Sequence, residues 1–320
     1  MSLLRALTAL ASPGSERGRL LTFFFHRVLA QPDPLQPGEV DARRFDTILR
    51  WIGEQFRVLP PLQACEALAG GNLPARAAII TFDDGYRDNH DVALPILRQQ
   101  RMKAAFFIAT GYLGDGVQFN DRLIEFFREL QGDSLDVGWL GLGTLKVGSL
   151  DDRLQALDRV REAVKYLDPE ARLEAVERLR SACGVSGDIL RCGRVMMTPE
   201  EVASLAGNAM EIGGHTVNHP ILQAVDDATA YEEIVGGRDA LSGILGRAPL
   251  MFAYPNGKPG ADFSSKHAAM ASDAGFRYAF STHRGVATRH TDPMLMPRFM
   301  PWHTDELRFK LQAFRLTTQH

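Results

Sequence analysis

The sequence has little cysteine, no long basic run and no long apolar run, and each absence excludes a class of protein. Its three cysteines, Cys65, Cys183 and Cys192, are too few and too irregularly spaced for a disulfide framework or a cysteine metal site. The formal net charge of -3 and the lack of a basic run argue against a nucleic-acid partner. No run of about eighteen apolar residues exists, so no transmembrane segment is predicted. With 320 residues, 45% of them hydrophobic, the chain can bury a sizeable core.

Residues 1–18 are predicted to form an N-terminal helical segment, because Leu3, Leu4 and Leu7 are at helical spacing. The apolar stretch is short, and the sequence Ala9-Leu10-Ala11 resembles a signal-peptide cleavage site only faintly. We therefore expect a cytoplasmic location. No sequence feature specifies an oligomeric state.

Six short apolar runs along the chain predict buried strands. They are 20–25, 77–82, 104–109, 210–213, 251–254 and 278–281. Amphipathic patterns between them predict helices at 41–55, 91–100 and 231–245, the last ended by Gly246. Strands that alternate with helices indicate an α/β fold with a mostly parallel sheet, whose strands deliver polar residues at their carboxyl ends.

The segment from about 111 to 197 interrupts this alternation. Residues 151–183 are rich in Leu, Ala, Arg and Glu, and two helical stretches meet near Asp168-Pro169. We interpret the segment as a helical insertion within one catalytic domain that spans 19–320. The alternative is that its helices belong to the outer ring of the fold.

Two adjacent carboxylates end the second apolar run, in the sequence Thr81-Phe82-Asp83-Asp84-Gly85. Two acids at that point are costly unless a cation or a partner compensates them, because each raises the pKa of the other. The glycine permits a sharp turn that leaves both carboxylates at the strand end. Asp-Asp-Gly is also a good turn sequence, so this motif by itself is weak evidence of function.

Two histidines four residues apart follow the fourth run, in the sequence His215-Thr216-Val217-Asn218-His219-Pro220. This spacing places both on one side of a helical turn, which suits two ligands of one metal ion. An unpartnered surface pair is the alternative. Together with an aspartate from another strand end, the pair predicts a divalent cation that keeps open positions for water and substrate.

Together these motifs resemble the NodB-type polysaccharide deacetylases of carbohydrate esterase family 4. The third matching motif is Phe252-Ala253-Tyr254-Pro255-Asn256-Gly257, and the resemblance covers roughly 19–298 apart from the insertion. It implies a distorted (β/α) barrel and an enzyme that removes acetyl groups from an N-acetylated carbohydrate, in a polysaccharide or a glycan precursor.

The resemblance also implies roles for particular residues. Asp84, His215 and His219 would bind the metal ion, with Zn2+ as the expected ion. Asp83 would be the general base. The third motif, with Tyr254 and Asn256, would contribute to substrate binding or to holding the oxyanion.

The general acid of the family lies in many members on a late strand, in a Leu-x-His-Asp pattern that this sequence lacks after Tyr254. Here an apolar strand ends in a histidine ahead of the Asp-Asp motif, at His26. This arrangement is similar to the permuted branch of the family, which includes poly-N-acetylglucosamine deacetylases. His26 is therefore the candidate acid. A structural role for His26 and the alternative acid His303, in Pro301-Trp302-His303, stay open.

Three further residues have two interpretations each. The third motif lacks the arginine that holds the catalytic aspartate in many members, and Arg298 either supplies that charge or forms a salt bridge at the rim. Asn120 and Asp121 either line the sugar site or cap the helix that follows them.

Two other functions are compatible with the sequence. The same metal site could hydrolyse a small non-sugar amide, or the scaffold could bind carbohydrate without catalysis. A binding module has no need of Asp83 beside a metal ligand, which argues against the second. A glycosidase is disfavoured because Asp83 and Asp84 are adjacent, whereas glycosidase carboxylates flank the sugar from two sides.

Overall fold

The computed structural model describes residues 3–167, 169–182, 193–301 and 303–318. The helices are α1 (Leu3–Ala11), α2 (Ala42–Gln55), α3 (Pro61–Ala69), α4 (Leu94–Gln99), α5 (Phe119–Glu129), α6 (Leu150–Lys165), α7 (Pro169–Ala182), α8 (Pro199–Gly207), α9 (Asp227–Leu245), α10 (Ser265–Asp273) and α11 (Glu306–Thr318). The strands are β1 (Leu21–Phe25), β2 (Val28–Leu29), β3 (Val40–Asp41), β4 (Arg57–Val58), β5 (Ala77–Phe82), β6 (Ala105–Ile108), β7 (Ser134–Asp136), β8 (Thr144–Lys146), β9 (Glu211–Gly214), β10 (Met251–Ala253) and β11 (Tyr278–Phe280).

The main sheet is parallel and curled. Within the described residues its strand order is β1-β5-β6-β9-β10-β11, and β4 pairs with β5. The segment 296–299 connects the two outer strands, because Met296 N donates to Ala279 O at 2.8 Å and Phe299 N donates to Thr22 O at 2.7 Å. The predicted α/β fold of the distorted (β/α) barrel type is confirmed.

The strands are apolar throughout because both faces of the sheet are covered. Every residue of β5 is buried. Alternate residues enter different apolar clusters: Ile80 and Phe82 pack with the side chains of α2 and α11, whereas Ile79 packs with Phe107 and Phe280. The six predicted strands match β1, β5, β6, β9, β10 and β11 to within one residue at each end.

Helix ends follow the expected chemistry. The side chain of Asp41 caps α2 by accepting a hydrogen bond from Arg44 N at 2.9 Å. Gly246 ends α9 in the left-handed conformation, at φ 67°. The helix predicted at 91–100 begins earlier, with a π-helical turn at Asn89–Ala93 that continues into α4. The predicted N-terminal helix is α1, which packs against α2 and α11.

The segment 111–197 has an apolar core of its own. Side chains of α5, α6 and α7 meet there with Leu135 and Leu145 of an antiparallel hairpin, β7–β8. The sequence predicted a helical insertion here, but residues 134–146 form this antiparallel hairpin. The segment is therefore only partly helical. The buried apolar side chains of α5, α6 and α7 pack in a cluster distinct from those of the main sheet.

Cys65 is buried on α3 with a free thiol, and Cys183 and Cys192 lie outside the described residues. None of the helices in the described part of the chain has the length and apolar character needed to cross a membrane.

Candidate metal centre

The turn after β5 presents two carboxylates at the carboxyl edge of the sheet. Asp84 adopts a φ of 77° and Gly85 a φ of 91°, so the chain reverses sharply at that point. Gly85 is required there on two grounds: its φ favours glycine, and an added Cβ would lie 3.2 Å from Ile108 Cγ2. The turn leaves the carboxylates of Asp83 and Asp84 buried at the mouth of the barrel.

His215 and His219 lie on a loop after β9, and the helical turn predicted from their spacing is wrong. Thr216 and His219 have φ values of 66° and 53°, which a right-handed helix excludes. The amide of His219 donates to Thr216 Oγ1 at 3.0 Å, so a side chain replaces the carbonyl that a helical turn would use. The two rings nevertheless approach to 4.8 Å between centroids.

Three ligand atoms converge at this point. Asp84 Oδ1 lies 3.4 Å from His215 Nε2 and 3.3 Å from His219 Nε2, and all three groups can supply a metal ligand. Two ligand atoms bound at about 2.1 Å in a tetrahedral shell lie about 3.4 Å apart. Asp84 Oδ1 is buried and has no hydrogen-bond partner, which is costly unless a cation compensates it. The donor set and its spacing therefore fit a divalent metal ion.

The tautomer of His215 also suits metal binding. Its Nδ1 lies 2.7 Å from Ala253 O at the end of β10, and a carbonyl oxygen only accepts hydrogen bonds. Nδ1 therefore carries a proton, and in the neutral imidazole the Nε2 lone pair faces Asp84. A backbone carbonyl that orients a histidine in this way is typical of metal sites.

The electrostatics of the centre favour an ionised aspartate and a neutral histidine. Burial would raise the pKa of Asp84, but its two histidine neighbours favour the ionised carboxylate and lower that pKa below its usual range. Burial lowers the pKa of His219 to about 4, so its imidazole is neutral near pH 7. An ionised carboxylate and neutral imidazoles are the forms in which these groups bind metal ions.

Asp83 is held by Arg298 in a buried bidentate ion pair. Arg298 Nη1 and Nη2 lie 2.7 and 2.8 Å from the two carboxylate oxygens, and Arg298 Nε donates to Ser281 O at 3.0 Å. Arg298 is 1% exposed, so a salt bridge at the rim is excluded. Burial would raise the pKa of Asp83, but the charge of Arg298 lowers it below its usual value.

A cavity of about 560 Å3 opens beside the ligand group. It is lined by Asp84 and by His26, which follows β1. Helix α6 also lines it, through Leu154, Gln155, Leu157, Asp158 and Arg161. The charge of His26 acts on both Asp83 and Asp84. His303 is not among the lining residues, and its carbonyl accepts a hydrogen bond from Arg44.

Asn120 and Asp121 also line this cavity, and the alternative that they cap α5 is wrong. The cap position is Gln118, because the helix begins at Phe119 and both residues lie in its first turn. Asp121 is buried, and burial raises its pKa to about 7. Its oxygens lie 3.2 Å from Tyr86 Oη and 3.5 Å from Arg27 Nη1.

Sequence reasoning missed Arg27 and Tyr86 in this network. Arg27 stacks on the Tyr86 ring at 4.5 Å and forms an ion pair with Asp88 at 2.8 Å. Both residues adjoin predicted site positions, since Arg27 follows His26 and Tyr86 follows Gly85. That adjacency was the available signal.

Tyr254 and Asn256 are not brought to the cavity, contrary to the expectation for the third motif. Tyr254 is fully buried, its hydroxyl donates to Met294 O at 2.9 Å, and its ring stacks on Phe263. Its amide donates to Phe280 O at 3.1 Å and is therefore not available as an oxyanion donor. Asn256 lies in the turn after β10, where its carbonyl accepts from Thr282 Oγ1 at 2.8 Å. The contribution of this motif to the centre is Ala253 O.

A second group of possible ligands in the described part of the chain, His90, Asp91 and Glu201, is already occupied by protein partners. The ring nitrogens of His90 lie 2.9 Å from Asp91 Oδ1 and 3.1 Å from Ser204 Oγ, and Glu201 is paired with Arg194 at 2.7 Å. These contacts explain the cluster without a metal ion.

The fold and the site together define a class: a curled parallel α/β barrel with an Asp-His-His group at the carboxyl edge of its sheet. The family model described as Polysaccharide deacetylase matches residues 70–140 and 174–279, which is more than half of the chain. This protein belongs to the polysaccharide deacetylase family, and the resemblance inferred from the motifs is confirmed.

Individual relatives are distant. The chain is 32% identical over 77 residues to YxkH of Bacillus subtilis (strain 168), which carries a provisional name as a polysaccharide deacetylase. That match covers 23% of this chain and 28% of YxkH, so the chain matches less than a third of the length of this curated relative.

Solved structures resemble the whole fold. The Streptococcus pyogenes deacetylase PplD, solved in complex with acetate, superposes with a TM-score of 0.61 at 17% identity, over 92% of this chain and 98% of that one. IcaB from Ammonifex degensii superposes with a TM-score of 0.58 at 17% identity, over 94% and 97% of the two chains. At this identity the similarity concerns the fold.

Proposed function

We propose that this protein is a metal-dependent deacetylase that hydrolyses the N-acetyl amide of an amino sugar in a polysaccharide or glycan precursor. The observation that carries the proposal is the convergence of Asp84, His215 and His219 on one point, beside the ion pair of Asp83 with Arg298 and next to a cavity that Asp84 and His26 line. Family membership supports the same activity.

Asp84 Oδ1, His215 Nε2 and His219 Nε2 would hold the divalent ion, and this mixed set of one carboxylate and two imidazoles suits Zn2+. Such an ion lowers the pKa of a bound water and polarises a carbonyl oxygen. Three protein ligands leave room for water and the acetamide group.

Asp83 acts as the general base, taking a proton from the attacking water. Arg298 uses one lone pair on each carboxylate oxygen, and each oxygen keeps a second lone pair for that proton. The charge of Arg298 lowers the pKa of Asp83, so the carboxylate is ionised and ready as a base at neutral pH. Arg298 also fixes its orientation.

His26 acts as the general acid and donates a proton to the amine nitrogen as the carbon–nitrogen bond breaks. It follows the strand that neighbours β5, so it approaches the cavity from a different direction than the histidine loop. An acid and a base on separate strand ends can act together, the acid on the leaving nitrogen and the base on the attacking water.

The size of the cavity favours an oligosaccharide over a free monosaccharide. Cavities of about 300–1,000 Å3 enclose drug-sized ligands, and one N-acetylhexosamine is at the small end of that class. Gln155 and Arg161 of α6 line this cavity of about 560 Å3 and offer hydrogen bonds to a sugar. The family model does not match residues 141–173, which include α6.

The test is a free-amine release assay over N-acetylglucosamine oligomers and over lipid-linked and nucleotide-linked acetamido sugars, with and without a chelator. We expect release that the chelator abolishes, about one divalent ion per chain, and loss of both in His215→Ala. Release that survives complete metal removal would contradict the proposal. Turnover of small non-sugar amides alone would instead favour the alternative substrate class, and activity on a simple acetate ester would not distinguish them.

A further inference from the structure

The loop that carries both histidines has an unusual backbone. Thr216 and His219 adopt φ values of 66° and 53°, a region that side-chain-bearing residues rarely enter. Such residues persist only where the surrounding structure holds them in place. Because the loop sets the position of two ligands, whatever holds it also sets the geometry of the metal centre.

Glu233 of α9 is the buried side chain that binds this loop. Its Oε2 accepts from Val217 N at 2.9 Å and from Asn218 N at 2.7 Å, and its Oε1 accepts from Asn218 Nδ2 at 2.8 Å. Glu233 is 8% exposed, although it is a charged residue. It touches neither histidine ring, and its three hydrogen bonds all go to the residues between the two ligands.

Close packing keeps the loop in contact with this carboxylate. A Cβ added to Gly237, one turn further along α9, would lie 2.8 Å from Thr216 O, so a larger residue would push the helix away. On the other side Gly111 N donates to Val217 O at 2.8 Å, and a Cβ there would lie 2.7 Å from Asn218 Oδ1. The loop is therefore enclosed between α9 and the turn at 110–112.

We infer that Glu233 is a positioning residue of the metal centre: its carboxylate fixes the strained histidine loop so that His215 and His219 converge on Asp84. The inference rests on the proposed metal site. It predicts that Glu233 controls metal affinity without contacting the ion.

The test uses a reciprocal exchange of donors and acceptors in the full chain. Glu233→Ala removes the acceptor of all three N–H groups. Asn218→Asp opposes two carboxylates. The double variant Glu233→Gln with Asn218→Asp restores a donor facing an acceptor; Glu233→Gln alone is the mild substitution, because the exposed Asn218 amide can turn its oxygen toward the new donor. Glu232→Gln is the matched control, because Glu232 is the exposed neighbour on α9.

The readouts are the dissociation constant for Co2+ or Zn2+ by chelator competition and the visible absorption spectrum of bound Co2+. We expect Glu233→Ala and Asn218→Asp each to bind about 10–100-fold more weakly, as for other outer-shell partners of metal ligands. The double variant should recover to within about threefold of the wild type, and the control should not change. Circular dichroism confirms folding, and Asn218→Ala, at an exposed loop position, replaces Glu233→Ala if that variant does not fold.

Unchanged affinity and spectra in Glu233→Ala and Asn218→Asp, with a wild type that binds the ion, would overturn this inference alone. Failure of the double variant to recover would also overturn it, because a general loss of packing is not repaired by the exchange. A wild type that binds no ion would overturn the proposed metal centre and this inference with it.

Discussion

The pair formed by Arg298 and Asp83 gives the sharpest prediction about stability. Arg298→Met keeps an unbranched side chain of comparable reach and removes the charge and the bidentate contact. Both partners are buried, with side-chain exposures of 0% and 3%, so the variant leaves a carboxylate in the interior without compensation. Breaking a buried pair in this way costs about 3–5 kcal/mol. We expect a melting temperature lower by roughly 5–15 °C.

The pH dependence identifies the cause of that loss. In the wild type the pKa of Asp83 lies below its unfolded value of about 3.9, so its contribution to stability is complete above that pH and is lost only as the pH falls through the folded pKa. Without Arg298, burial raises the pKa of Asp83, so the ionised form destabilises the variant at neutral pH. Protonation relieves this as the pH falls.

The assay is urea unfolding of metal-free wild type and variant between pH 7.5 and 5. The wild-type contribution of Asp83 is constant over this interval, so the difference in unfolding free energy should be largest at pH 7.5 and should narrow toward pH 5. Arg298→Lys keeps the charge but loses the bidentate contact, so its unfolding free energy should lie between those of the wild type and Arg298→Met. A difference below about 1 kcal/mol at pH 7.5, or one that does not change with pH, would refute a buried, compensated carboxylate.

The other predictions concern the reaction. Asp83→Asn should keep its metal ion, because Asp83 is not a ligand, and should lose deacetylation; a normal turnover rate would remove Asp83 as the base. His26→Ala should lower the rate with little change in metal content, whereas the same result in His303→Ala would move the acid there. Arg161→Ala should reduce kcat/KM for N-acetylglucosamine oligomers about tenfold, because the side chain lines the cavity. Glu162→Ala, on the exposed side of the same helix, is its control, and an equal loss in both would exclude a sugar contact by Arg161.

Much of the fold was predictable because its signals are local. An apolar run bounded by turn residues predicts a buried strand wherever it occurs, and the six predicted runs are the six strands of the sheet order. Asp83, Asp84 and His215 follow such strands directly. Parallel strands end at one edge of a sheet, so the convergence of these side chains could be expected before their contacts were known.

The less local features were not predictable in the same way. The four-residue spacing of His215 and His219 suggested a helical turn, but Thr216 and Glu233 supply hydrogen bonds that support left-handed residues instead. The sequence of the loop itself does not reveal that Glu233, on a later helix, accepts hydrogen bonds from the loop amides. Likewise Tyr254 belongs to the third motif, yet its side chain packs within an apolar cluster and not at the site.

The sequence by itself determined the strands, the order of the three motifs and the identity of the candidate ligands, because these depend on residues within a few positions of one another. Only the tertiary structure decided that Arg298 holds Asp83, 215 residues away along the chain, because closure of the curled sheet by the segment 296–299 creates that contact. It likewise decided that α6 lines the cavity and that Glu233 accepts hydrogen bonds from the histidine loop. Contacts of this kind arise from packing between distant elements, and no local pattern in the chain encodes them.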